Sequence, residues 1–233
     1  MDSLTKEYAV IRDAARKAAS LCLAVRQEML DGLQSMEKAG KEPVTIADYG
    51  SQAVVLQAIA EHFPDDGSVA EEHAGDLDAL ATDSQRGKVM RFVSEALGFS
   101  VMLDDVRRWL DWGRDRSSGR IWTVDPIDGT KGFLRGDQYA VALALIENGQ
   151  VQIGVMACPN LTNGYIPEVG GAGSLIVAER GQGTWSANLI GALDFTRMAV
   201  SDIADPAKAR LLRSFEAGHT NVSQLDHIAE AMG

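Results

Sequence analysis

Two carboxylates three positions apart stand out in Trp122-Thr123-Val124-Asp125-Pro126-Ile127-Asp128-Gly129-Thr130-Lys131-Gly132-Phe133. Carboxylate oxygens at the end of a β-like run suit a hard divalent cation, and exposed backbone N–H groups beyond a glycine suit phosphate oxygens. The spacing predicts a strand that ends at Asp125, because Pro126 has no N–H to pair with. The same letters also make a good tight turn, and that plainer reading stands beside the first. Glu71-Glu72 follow the short run Ser68-Val69-Ala70. Neighbouring acids close to a core need a balancing cation, unless they form an exposed acidic loop. Asp48, three residues after Thr45, fits an acidic variant of the helix capping box.

Other chemistries are excluded by what the chain lacks. His62, His73, His219 and His227 match no zinc spacing, and Cys22 and Cys158 have no C-x-x-C neighbour. There is no Walker loop and no G-x-S-x-G elbow, and Gly170-Gly171-Ala172-Gly173 has no Lys-Ser/Thr after it. With 22 basic and 33 acidic residues the formal charge is −11, which argues against a nucleic-acid groove. It does not exclude a small anion, since a bound cation reverses the local sign. The N-terminal MDSLTKEYAVIRDAARKAAS has no secretory apolar stretch, and no run of about 18 apolar residues occurs. A protein of the cytoplasm is expected, with no membrane or nucleic-acid partner.

The elements that must position these side chains follow from periodicity. Leu4, Tyr8, Ile11, Ala15, Ala18, Cys22, Val25, Met29, Leu33 and Met36 mark one face of a long helix that ends at Ala39-Gly40. Spacing this close to 3.5 also fits a seam between subunits, but the stripe is poor in Leu and Ile, which favours packing within the domain. A second helix places Gln52, Leu56, Ile59, Ala60 and Phe63 on one side and stops at Pro64-Asp65-Asp66-Gly67. Residues 76–118 read as a charged helical region, an insertion or lid. YAVALALIENGQVQIGVMACP and GSLIVAERGQGTW then give strands joined by hairpins at Asn148-Gly149 and Gly181–Gly183. This is an α+β pattern with a meandering antiparallel sheet. The residues past Asp194, with a last helix over 222–232, look like the start of a second domain.

Val44-Thr45-x-x-Asp48, Glu71-Glu72 and Asp125-Pro126-Ile127-Asp128-Gly129-Thr130, in this order, resemble the magnesium-dependent, lithium-sensitive phosphatases of the inositol monophosphatase superfamily. PVTIADYGSQ, DPIDGTKGFLRGDQYAVALALIENG and GVMACPNL are more similar to its 3'(2'),5'-bisphosphate nucleotidases than to its inositol monophosphatases. The likeness runs from about residue 4 to the end and is loosest over 84–118.

The resemblance implies a layered α/β sandwich of the inositol monophosphatase and fructose bisphosphatase type. It implies a catalytic domain over 1–195 and an incomplete second domain over 196–233. It also implies two or three Mg²⁺ ions held by Glu71, Asp125, the Ile127 carbonyl and Asp128, with Glu71 shared with a third ion beside the substrate phosphate. Asp48 with Thr130 would activate the attacking water, and the Gly129 and Thr130 amides would cradle the phosphate. His219 would lie near the nucleotide. The implied reaction removes the 3'-phosphate of adenosine 3',5'-bisphosphate, and the sulfated analogue falls in the same substrate class. An inositol-phosphate phosphatase and a non-catalytic binder of metal or nucleotide are the alternatives. The family's downstream Trp-Asp element has no counterpart after Thr130, so an incomplete domain edge that self-associates is expected.

Overall fold

The computed structural model describes residues 5–30, 46–116 and 119–208, together with His227 and Glu230. The expected cap Thr45, the end of the first helix near Ala39-Gly40, His219 and most of the expected last helix lie outside the described residues. The chain divides into two compact units, residues 1–198 and 199–233. Within the second, the described part includes a 3-10 turn at Pro206–Lys208.

The first unit is a sheet backed by helices. Helix α1 (Thr5–Leu30) buries Ile11, Ala15, Ala18, Cys22 and Val25, so its stripe packs within its own domain. Helix α2 (Ile46–His62) lies against it and is buried along most of its length. Their approach is close because Gly50 has no side chain: a Cβ there would stand 3.0 Å from a Leu21 methyl group. The Lys6 ammonium donates to the His62 carbonyl at 2.9 Å, placing a cation on the C-terminal end of α2.

Strand β1 (Gly67–Ala70) is followed by α3 (Ala74–Leu80), α4 (Asp83–Leu97) and α5 (Leu103–Leu110). A capping box starts α4: the Gln85 N–H donates to the Thr82 hydroxyl, and the Thr82 N–H donates to the Gln85 side chain at 2.7 Å. Left-handed Gly98 ends it. Val89, Phe92 and Val93 of α4 and Val106, Trp109 and Leu110 of α5 join the same core as α1 and α2.

Strand β2 (Arg120–Asp128), helix α6 (Thr130–Arg135) and strands β3 (Ala140–Glu147) and β4 (Gln150–Cys158) come next. A short pair, β5 (Leu161–Thr162) and β6 (Ile166–Pro167), precedes β7 (Ser174–Glu179), β8 (Gly183–Asn188) and β9 (Thr196–Met198). Among the described residues the main sheet runs in the order β1-β2-β3-β4-β7-β8-β9, parallel only between β1 and β2. This mixed α+β architecture agrees with the expected fold class. Strand β2 does not end at Asp125. Asp125 pairs with Ala142 and Asp128 with Ala140, so three steps on β2 oppose two on β3. Pro126 falls inside this bulge, where the missing N–H leaves no ladder bond unmade, and pairing resumes beyond it.

The two faces of the sheet differ. Row by row, Trp122–Leu145–Ile153 and Val124–Leu143–Val155–Val177 form a large-residue face packed into the helical core. The opposite rows, Thr123–Ala144–Gly154–Ala178–Thr184 and Asp125–Ala142–Met156–Ile176, carry mostly small side chains. They floor a groove of about 700 Å³, with Val69 61% and Met156 41% exposed. Among the described residues, no helix is long and apolar enough to cross a membrane.

Candidate active site

The site forms where β1 and β2 end. In their parallel register Ala70 stands beside Val124, so the next residues, Glu71 and Asp125, come level. Alternation puts both on the small-residue face, with Val69 and Thr123 behind them. Neighbouring strands lie about 4.8 Å apart, which brings the two carboxylates side by side. Both line the rim of the groove.

The electrostatic consequence falls on Asp125. Burial, then the charges of Glu71 and Asp128, push its carboxyl up from 3.8 to about 6, while a backbone hydrogen bond at Ile127 opposes the rise. Its Oδ1 is buried and meets no hydrogen-bond donor. Asp128 stands at the exposed tip of the turn; burial, and then the Asp128 charge, push the Cys158 thiol up to about 11.

Gly129 makes the turn with φ +87° and caps α6, a left-handed conformation that other residues adopt only at a cost. The Thr130 hydroxyl donates to the Ile127 carbonyl at 3.1 Å, tying the first helical residue back across the turn. The rear of α6 is held as well. The Arg26 guanidinium of α1 donates to the Phe133 carbonyl, and Gly132 lies so close to the Gln138 carbonyl that a Cβ would collide with it. The buried Asn160 amide donates to the Asp137 carbonyl at 2.6 Å.

Asp48 sits in the first turn of α2 and is 3% exposed. One turn later, Ser51 donates its hydroxyl proton to the Pro126 carbonyl at 3.0 Å. Asp48 is therefore carried on the helix that touches the bulge. The structure thus brings Asp48, Glu71, Asp125, Ile127, Asp128, Gly129 and Thr130 to one end of the sheet. Of the acidic pair only Glu71 is exposed; Glu72 turns inward and is buried. His219 lies outside the described residues. Ser51 and Gln52 contact the site's backbone and were missed as functional positions. The signal was present in Gln52, a polar residue on the inward face of a helix otherwise apolar there.

Hard-cation chemistry fits this donor set. The groups are all oxygens, the Asp125 carboxylate keeps a buried oxygen without a donor, and two neighbouring carboxylates share a burden of charge. Among the described residues no three His, Cys, Asp or Glu side chains converge tightly enough to enclose one ion by themselves. The fit is to a cation that also takes a backbone carbonyl and water, as Mg²⁺ does.

The Inositol monophosphatase family model matches residues 3–231. The chain is 38% identical over 242 positions to 3'(2'),5'-bisphosphate nucleotidase 1 of Arabidopsis thaliana, an alignment covering 95% of this chain and 69% of that one. It is 33% identical over 248 positions to 3'(2'),5'-bisphosphate nucleotidase 2 of Candida albicans, covering 98% and 69%. Among solved structures, CysQ from Bacteroides thetaiotaomicron, a bacterial member of the inositol monophosphatase family, aligns with a TM-score of 0.52 at 18% identity over 97% of this chain and 70% of that one. Extragenic suppressor protein suhB from Bartonella henselae aligns with a TM-score of 0.55 at 22% identity, and the chain spans only 57% of its length. Sequence and fold agree: the chain belongs to the inositol monophosphatase family.

Proposed function

We propose that the protein is a magnesium-dependent phosphomonoesterase that removes the 3'-phosphate of adenosine 3',5'-bisphosphate, giving AMP and phosphate. The observation that carries this reading is the Glu71–Asp125 pair, with its donor-less buried oxygen, in a chain 38% identical to a 3'(2'),5'-bisphosphate nucleotidase. Glu71, Asp125, the Ile127 carbonyl and Asp128 would hold Mg²⁺, which supplies positive charge to the phosphoryl group and lowers the pKa of bound water.

The chain's own groups do the rest. The N–H groups of Gly129 and Thr130 point from the start of α6 and orient the phosphate. The Thr130 hydroxyl, whose proton is engaged by the Ile127 carbonyl, keeps its lone pairs for the attacking water. Asp48, buried one helical turn from the bulge contact, takes the proton that the water loses. Phosphoryl transfer needs positioning and charge neutralisation more than covalent help, and this inventory supplies both. His219 is proposed beside the nucleotide, where its loss raises KM. Self-association through an exposed edge of the incomplete second domain is part of the same proposal.

The test is phosphate release from adenosine 3',5'-bisphosphate against inositol 1-phosphate, with Mg²⁺ alone and with Li⁺ added. Release from the nucleotide only, suppressed by Li⁺, supports the reading. Release from the inositol substrate instead selects the inositol-phosphate phosphatase. Metal binding with no release from either selects a non-catalytic binder.

A further inference from the structure

Helix α2 touches both strand ends that carry the acidic groups, through two adjacent residues that are fully buried. Ser51 and Gln52 are each 0% exposed. Ser51 donates to the Pro126 carbonyl at 3.0 Å, inside the bulge between Asp125 and Asp128. Gln52 makes a two-point bridge to the backbone of Glu72, the residue after Glu71. Its Oε1 accepts the Glu72 N–H at 2.8 Å, and its Nε2 donates to the Glu72 carbonyl at 2.6 Å. The second proton of the same amide reaches the Leu110 carbonyl at the end of α5, at 3.3 Å. One N–H and two carbonyls around the amide leave a single orientation that satisfies all of them.

We propose that Ser51 and Gln52 are positioning residues that lock the Asp125–Asp128 bulge and the Glu71–Glu72 segment to one helix, and thereby set the affinity for the divalent cation. Glu71 and Asp125 repel one another, so without a cation their strand ends tend to part. Beyond Ala70 the β1–β2 ladder no longer holds Glu71. Gln52 replaces that ladder with side-chain hydrogen bonds, standing in for the next strand partner of Glu72. Ser51 does the same for the Pro126 carbonyl, which the bulge removes from the β3 ladder. Both anchors lie on adjacent residues of one rigid helix, and Asp48 lies one turn before them. Their spacing is therefore fixed by helix geometry rather than by loops. The proposal rests on the phosphatase reading for the identity of the cation site.

The experiment uses the full chain with Mn²⁺ followed by electron paramagnetic resonance, and Mg²⁺ followed by the rise in melting temperature. Ser51→Ala and Gln52→Met are compared with Ser94→Ala, which removes a structural hydroxyl bonded to the Met90 carbonyl and the Val101 N–H, away from the site. Expected is a rise of about 10–100-fold in the dissociation constant for either metal in both site variants, and none in Ser94→Ala. Phosphate release in Ser51→Ala is expected to recover towards the wild-type kcat as Mg²⁺ is raised, at temperatures where urea titration shows the variant fully folded without the metal. Should Gln52→Met fail to fold, Ser51→Ala decides alone. Wild-type metal affinity in Ser51→Ala overturns the positioning role and leaves the phosphatase reading intact. A wild-type chain with no affinity for either metal overturns both.

Discussion

Replacing Asp125 by Asn separates the cost of the acidic site from its use. In the folded chain the Asp125 carboxyl titrates at about 6, against 3.8 when free. The folded state therefore holds this proton more tightly than the unfolded state does. Below about pH 4 both states are protonated and Asp125 contributes nothing. As pH rises towards 6 the unfolded chain gives up its proton first, so stability falls. Above 6 the whole cost is in place. A difference of that size corresponds to about 3 kcal/mol. Asp125 is partly open to water, whose screening cuts this to about 1–2 kcal/mol. Asn keeps the shape and removes the charge. In urea titrations with chelator at pH 7.5, Asp125→Asn is thus expected to be more stable than the wild type by about 1–2 kcal/mol. At pH 4 the two should nearly coincide. Magnesium at about a hundred times its dissociation constant should then add about 2.7 kcal/mol to the wild type and nothing to the variant. A variant less stable than the wild type in chelator at pH 7.5, or stabilised equally by magnesium, would refute the assignment.

Three further perturbations probe the frame and the turn. If Thr130 orients the attacking water as proposed, Thr130→Ala should lower kcat for phosphate release about 100-fold, while Thr130→Ser, which keeps the hydroxyl, retains most of it. Gly132→Ala drives a methyl group into the Gln138 carbonyl and should cost about 2–3 kcal/mol, seen as a melting temperature lower by about 5–10 °C. Arg120→Met abandons Glu7, Asp66 and Glu147, which surround one guanidinium; it should lower stability by about 2 kcal/mol in urea, less in high salt.

What the sequence makes legible here is local pattern, and what it hides is partnership across distance. The hairpins at Asn148-Gly149 and Gly181–Gly183 could be read because positive φ selects those residues, and both turns have it. The inward stripe of α1 could be read because small apolar residues recur at helical spacing. The capping box Thr82-x-x-Gln85 was equally visible, yet the charges of Asp83, Arg86, Lys88, Arg91 and Glu95 hid the Val89-Phe92-Val93 stripe, leaving 76–118 as an undivided charged region. Pro126 was misread as a strand end because a bulge exists only in relation to β3, and no pattern within β2 announces it. In the same way periodicity turns Gln52 inward, but nothing near it in the chain names Glu72, twenty residues on, as its partner.

The arrangement is best understood as a stable frame bearing an unstable edge. Trp122 sits at the buried end of β2, wholly enclosed, donating to Asp66 at 2.8 Å and packed 5.3 Å from Phe63. Arg120 gathers three carboxylates at the same end. At the other end of this strand, five to eight residues on, burial and the charges of Glu71 and Asp128 raise the Asp125 carboxyl. Acid is thus gathered around arginine where the strand begins and set beside further acid where it ends. An acidic edge costing about 1–2 kcal/mol is tolerable in a domain whose total stability is about 5–15 kcal/mol. A cation at about a hundred times its dissociation constant would contribute about 2.7 kcal/mol and more than offset it. On the proposed reading, the charge that weakens the free chain is the same charge that would hold a small divalent ion, and an arginine introduced there would stabilise the fold by removing that chemistry.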